Sequence, residues 1–137
     1  MKIAIINGPN LNLLGIREPG IYGRQTFEDF LKGLREKYPA IQIDYFQSNV
    51  EGELVNELQR VGFSYDGILL NAAAYTHTSV AIGDAVATIK TPVIEIHISN
   101  IAAREEYRQR SMIGAKSVGA VSGLGLKGYE LGLLYFL

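Results

Sequence analysis

The sequence predicts an α/β fold, a three-layer sandwich whose five-stranded parallel sheet has helices on both faces. Two observations predict it. Short apolar runs closed by turn residues alternate with stretches of helical periodicity along the whole chain. The first of these runs is continuous, as a strand buried on both faces requires. No linker, repeat or low-complexity tract interrupts the pattern, so residues 1–137 are expected to form a single domain.

The elements follow in order. Ile3 to Ile6 reads as a buried first strand, closed by Asn7-Gly8-Pro9-Asn10. Residues 11–25 hold Gly15, Gly20 and Gly23 without a clear period, and read as a long loop. Thr26 is placed to cap a helix carrying Phe27, Phe30, Leu31 and Leu34. Ile41 to Phe46 alternates and reads as strand two. Ser48 and Glu51 have the spacing of a capping box before a helix with Leu54, Leu58 and Val61, which Gly62 ends. Ile68 to Leu70 is strand three, finishing at Asn71. Ile82, Ala85, Val86 and Ile89 mark a third helix, stopped before Pro92. Val93 to Ile98 is strand four, residues 117–122 suggest strand five, and 126–137 a last helix. This succession suits a flavodoxin-like sandwich, although similar helices can cover several sheet orders.

Composition narrows the function classes. A net charge of −1 offers no basic field for nucleic acid or an anionic membrane. The chain has no cysteine, which removes disulfides, thiolate metal sites and cysteine nucleophiles together. The opening apolar run is too short for a signal peptide, and no stretch approaches the ~20 residues that span a bilayer. A soluble cytoplasmic protein is the expectation.

Polar residues collect just past the predicted strands. Strand one delivers Asn7 and Asn10; strand two Gln47, Ser48 and Asn49; strand three Asn71, then Tyr75 to Thr78; strand four His97, Ser99 and Asn100. Open α/β sheets bind ligands beyond the carboxyl ends of their strands. Strand four carries the sharpest signal, because a period of two puts Glu95 and His97 on one face. A buried carboxylate and imidazole are costly unless paired. Either Glu95 orients His97 and favours its charged form, or the two form a structural pair at a sheet edge.

Other features have two readings each. His77, with Asp84 seven positions on, suggests either a weak metal site or a hydrogen-bonded loop residue. Tyr22 lies in a glycine-rich loop with Arg17, either as a surface group or as a lid pair in which the guanidinium lowers the phenol pKa. Gly123 to Gly128 matches G-x-G-x-x-G, but only nine residues remain after it, too few for a dinucleotide-binding unit. It reads as a strand-to-helix turn.

Taken in order, the motifs resemble the type II 3-dehydroquinate dehydratases from end to end. The matching segments are Asn7 to Gly15, Arg17-Glu18-Pro19, Tyr22-Gly23, Gln47-Ser48-Asn49, Glu51-Gly52-Glu53, Asn71, Tyr75 to Ser79 and Asp84-Ala85. Glu95 to Ile101, Arg104-Glu105, Arg108 and Gly128-Tyr129-Glu130 complete the set. The resemblance implies a metal-free and cofactor-free anti elimination of water from 3-dehydroquinate through an enolate. It makes Tyr22 the base, with Arg17 holding it as phenolate and closing a lid over residues 13–23. Asn10 fixes a water against the enolate oxygen, and His97, backed by Glu95, protonates the departing hydroxyl. The amides of Ile98 and Ser99 grip the carboxylate, while Asn71, His77 and Arg108 bind ring hydroxyls. Asp84 reaches a site across a subunit boundary, in a homododecamer built from trimers. Two departures stand out: Ala73 replaces a usual glycine, and Ala102 a frequent histidine. An alanine at a position needing positive φ strains the loop by about 1 kcal/mol.

Rival readings make different demands. A flavodoxin-like binding module needs a phosphate cradle after strand one, where Pro9 removes a backbone donor. A silent homologue is expected to lack Tyr22, Arg17 or His97, and all three are present. A Schiff-base route needs a lysine in the strand-end cluster, which holds none.

Overall fold

The computed structural model describes residues 1–16 and 25–137. Its sheet consists of β1 (Lys2–Asn7), β2 (Gln42–Gln47), β3 (Gly67–Asn71), β4 (Val93–His97) and β5 (Gly119–Ser122). The spatial order is β2-β1-β3-β4-β5, and every neighbouring pair is parallel. The predicted α/β class and five strands are therefore found, with edges shifted by one or two residues.

Two apolar layers sandwich the sheet, as the period of two dictates. Ile3, Ile5, Leu69, Ile94 and Ile96 face one way, against α1 (Phe27–Lys37) and α4 (Lys127–Tyr135). Ala4, Ile6, Ile68, Leu70 and Val93 face the other, against α2 (Glu51–Val61) and α3 (Val80–Thr88). Leu54, Leu58 and Val61 are fully buried on α2, each burial worth about 1.5–3 kcal/mol relative to exposure.

Thr26 caps α1 as expected, its Oγ1 accepting from the Asp29 amide at 3.2 Å. The Ser48–Glu51 capping box does not form. Helix α2 is capped at Val50, which puts Ser48 two residues too early. Ser48 Oγ instead accepts from the Val50 amide at 2.9 Å and donates to Glu53. Gly123 and Gly125 both have positive φ, 85° and 65°, so the glycine motif is a strand-to-helix turn. Residues 101–116, which carry no helical or strand period, fold as three short 3₁₀ turns.

Ala73 has φ 53°, inside the left-handed region that disfavours a Cβ. The departure from glycine at this position thus has a structural cost. Ala73→Gly is expected to stabilise the fold by about 0.5–1 kcal/mol, the strain relief less the added entropy of the unfolded chain. Denaturant midpoints compared at equal protein concentration measure it, and a lower midpoint in the variant would show that no strain is stored there.

Candidate active site

The strand order reverses direction between β1 and β3, and ligand clefts form outside strand ends at such a point. A cleft opens there. It is lined by Pro9, Asn10, Leu11, Leu13 and Leu14 after β1, and by Asn71, Ala73, Ala74 and His77 after β3. His97, Ile98, Ser99, Ile101, Arg104 and Arg108 complete it from β4 and the turns beyond.

His97 is the buried centre of this wall. Its Nε2 donates to Glu95 Oε2, as residues two apart on one strand permit. Glu95 is 3% exposed and His97 5%. β4 pairs with β3 on one side and β5 on the other, so the sheet-edge reading of this pair falls away. With Nε2 committed to the carboxylate, Nδ1 is the ring nitrogen left for a ligand in the cleft. The His77 ring lies 6.2 Å from that of His97, tilted by 21°. His77 is anchored through Nδ1 to the Arg110 carbonyl at 2.8 Å, which leaves its Nε2 for the cleft.

Asn71 reaches the cleft from a buried polar chain. Its Oδ1 accepts from the Ala73 amide at 3.1 Å, and its Nδ2 donates to the Tyr129 hydroxyl at 2.9 Å. Tyr129 is fully buried and donates in turn to Asn7 Oδ1 at 2.7 Å. Burial pushes the Tyr129 phenol far above its ordinary range, so it keeps its proton and the direction of donation is set. The chain thereby orients the Asn71 amide. Tyr129→Phe leaves Asn7 Oδ1 and Asn71 Nδ2 buried without this partner, at an expected cost of about 2–4 kcal/mol. Chemical denaturation at fixed protein concentration tests this, and an unchanged midpoint would mean the chain adds nothing to stability.

Arg104 and Arg108 bring positive charge to the rim. Arg104 Nη1 donates to Ser99 Oγ at 3.3 Å, and Arg108 Nε donates to Glu105 Oε1 at 3.0 Å. The Tyr107 hydroxyl, the Glu105 amide and Arg108 hold the Glu105 carboxyl down at about 2. It stays ionised and braces the arginine.

The structure thus brings Asn10, Asn71, His77, His97, Ile98, Ser99 and Arg108 to one cleft, with Glu95 directly behind His97. Asp84 is exposed on α3 and does not line its own chain's cleft. Tyr22 and Arg17, with most of the expected lid over residues 13–23, lie outside the described residues. The strand-two residues serve as scaffold. Gln47 Nε2 donates to the Gly8 carbonyl at 3.1 Å, and Asn49 Oδ1 accepts from the Asn10 amide at 3.0 Å. Those bonds brace the turn in which Asn10 has φ 71°. The apolar lining from Leu11, Leu13 and Leu14 and the part played by Arg104 were not read from the residues. Leucines in an aperiodic loop give no sequence signal, and the Arg104 and Arg108 spacing of four was the one available hint.

Comparison with known proteins bears on the chemistry. The family described as Dehydroquinase class II matches residues 1–137. A 3-dehydroquinate dehydratase of Helicobacter hepaticus is 51% identical over 140 residues, covering 100% of this chain and 89% of its own. One from Aliarcobacter butzleri is 49% identical over 136 residues, covering 98% and 83%. Among solved structures, the type II dehydroquinase of Butyrivibrio crossotus superposes with a TM-score of 0.95 at 44% identity, over 99% of this chain and 97% of that one. The type II dehydroquinase of Propionibacterium acnes gives 0.90 at 39%, over 98% and 94%.

Proposed function

The chain belongs to the class II dehydroquinases and is a lyase that dehydrates 3-dehydroquinate; from that premise we propose how its residues divide the work. The observation that carries the reading is the buried Glu95–His97 pair in the cleft wall, with Nε2 bonded to the carboxylate and the ring lining the cleft.

Elimination beside a ketone needs a base, an acid for the hydroxyl and something to steady an oxyanion. Tyr22, as phenolate beside Arg17, takes the proton from the carbon next to the ketone. The electrons of that C–H bond pass into the enolate, whose oxygen is steadied by a water held on Asn10. When the enolate collapses, the C–O bond breaks and the hydroxyl leaves as water with the proton of His97 Nδ1. The product is the conjugated enone 3-dehydroshikimate. Glu95, accepting from Nε2, supports the imidazolium that gives this proton. The amides of Ile98 and Ser99 hold the substrate carboxylate, assisted by positive charge at the rim. Asn71, His77 and Arg108 bind ring hydroxyls.

The assembly we propose is a homododecamer of trimers, in which the exposed Asp84 reaches a neighbouring subunit's cleft. Among the described residues no helix is long and apolar enough to cross a membrane. A cytoplasmic location is proposed on the family resemblance.

The reaction is tested by mixing the protein with 3-dehydroquinate and following the ultraviolet absorbance of the enone. The signal is expected to rise, and to survive both borohydride pretreatment and a chelator. No rise from folded protein would favour a binding module. Inactivation by borohydride would point to a lysine Schiff base. A loss on chelation that metal restores would revive His77 as a ligand.

A further inference from the structure

Behind Glu95 lies a serine that neither the elimination scheme nor the cleft lining includes. Ser111 Oγ donates to Glu95 Oε2 at 3.1 Å. Ser111 Oγ itself accepts from the Gly114 amide at 2.9 Å and the Ile113 amide at 3.3 Å. A hydroxyl has one proton and two acceptor positions. With both acceptor positions taken by backbone amides, the proton is aimed at the carboxylate.

The turn that carries Ser111 is fastened on both sides. The Met112 amide donates to the Thr76 carbonyl at 2.7 Å, tying it to the segment after β3. On the other side, a Cβ on Gly83 of α3 would come within 2.3 Å of the Met112 carbonyl, so helix and turn are in direct backbone contact. Gly114 sits beside Glu95 and Ser111. A Cβ there would lie 3.0 Å from Glu95 Oε1 and 3.2 Å from Ser111 Oγ. The carboxylate is therefore held from below by one hydroxyl and confined by one backbone turn.

We propose that Ser111 is a positioning residue for hydroxyl departure: it holds the Glu95 carboxylate in the rotamer that orients His97. The proposal rests on His97 as the acid, and predicts a defect confined to the second half of the elimination. A serine that merely closes the turn would affect all steps alike.

The test is steady-state kinetics of the full chain with 3-dehydroquinate, protiated or deuterated at the carbon that loses its proton. Ser111→Ala is expected to lower kcat roughly ten-fold, as loss of one hydrogen bond to a charged group allows, with KM within about two-fold. The deuterium isotope effect on kcat is expected to shrink, because hydroxyl departure becomes slower relative to proton abstraction. Ser111→Thr, which keeps the hydroxyl, recovers most of the rate. Gly114→Ala leaves Ser111 intact but crowds the carboxylate, and is expected to show the same pattern even if Ser111→Ala folds poorly. An unchanged kcat, or a fall with an unchanged isotope effect, in both alanine variants would overturn the proposal. His97→Asn separates the two levels. Near-normal turnover in that variant would remove His97 as acid and this proposal with it. A crippled His97→Asn beside a normal Ser111→Ala would remove the positioning role alone.

Discussion

Tyr22→Phe is expected to lower kcat by about 10³-fold or more while 3-dehydroquinate still binds with near-normal affinity. The substitution removes one oxygen and keeps the ring. What it deletes is the only group in the proposed scheme able to take the carbon-bound proton. General bases contribute roughly 10²- to 10⁴-fold, and no other residue is assigned to this step. Free tyrosine has a pKa near ~10, so its use at neutral pH depends on the Arg17 guanidinium favouring phenolate. Arg17→Leu is accordingly expected to share the defect, with a rate that recovers as pH rises toward the ordinary tyrosine range. Calorimetric titration of each variant with substrate separates binding from turnover. Near-normal turnover in Tyr22→Phe would remove Tyr22 as the base.

His97→Ala is expected to cost a further large factor, about 10²- to 10⁴-fold in kcat, with a smaller change in KM. Hydroxide is a poor leaving group, and in the proposed scheme the His97 imidazole, which lines the cleft, protonates it. The variant also leaves Glu95 as a buried carboxylate without its ring partner, so some loss of stability accompanies the loss of rate. Added imidazole provides the control. It fits the vacated volume and is expected to restore part of the activity in proportion to its concentration. Rescue would place the defect in proton delivery, whereas an active His97→Ala without imidazole would end the assignment. Glu95→Gln is expected to fall between the two, since an amide still occupies the space but no longer places a negative charge beside the ring.

The layers were legible because burial leaves a periodic mark. Ile3 and Ile5 against Ala4 and Ile6 announce a strand with two covered faces, and Phe27, Leu31 and Leu34 announce a helix with one. The Glu95–His97 pair was legible for the same reason, since a period of two forces both side chains to one face. The boundary of α2 was misread because Ser48 can serve several local hydrogen bonds, and only the helix start at Glu51 chose among them. Ser111 and the 101–116 turns left no mark, because 3₁₀ turns of three residues are too short to show a period.

By itself the sequence determined the α/β class, the two apolar faces of the sheet and, through the order of its motifs, the dehydroquinase family. Local period and residue identity are enough for those. The tertiary structure alone decided that β4 lies inside the sheet, that Gln47 holds Gly8 and Asn49 holds Asn10 rather than lining the cleft, and that Tyr129 sets the Asn71 amide from 58 residues away. It also showed that Ala73 takes the left-handed conformation and that Ser111 supports Glu95. Each of these depends on contacts between segments distant in the chain, and no local pattern encodes which distant partner a polar group will meet.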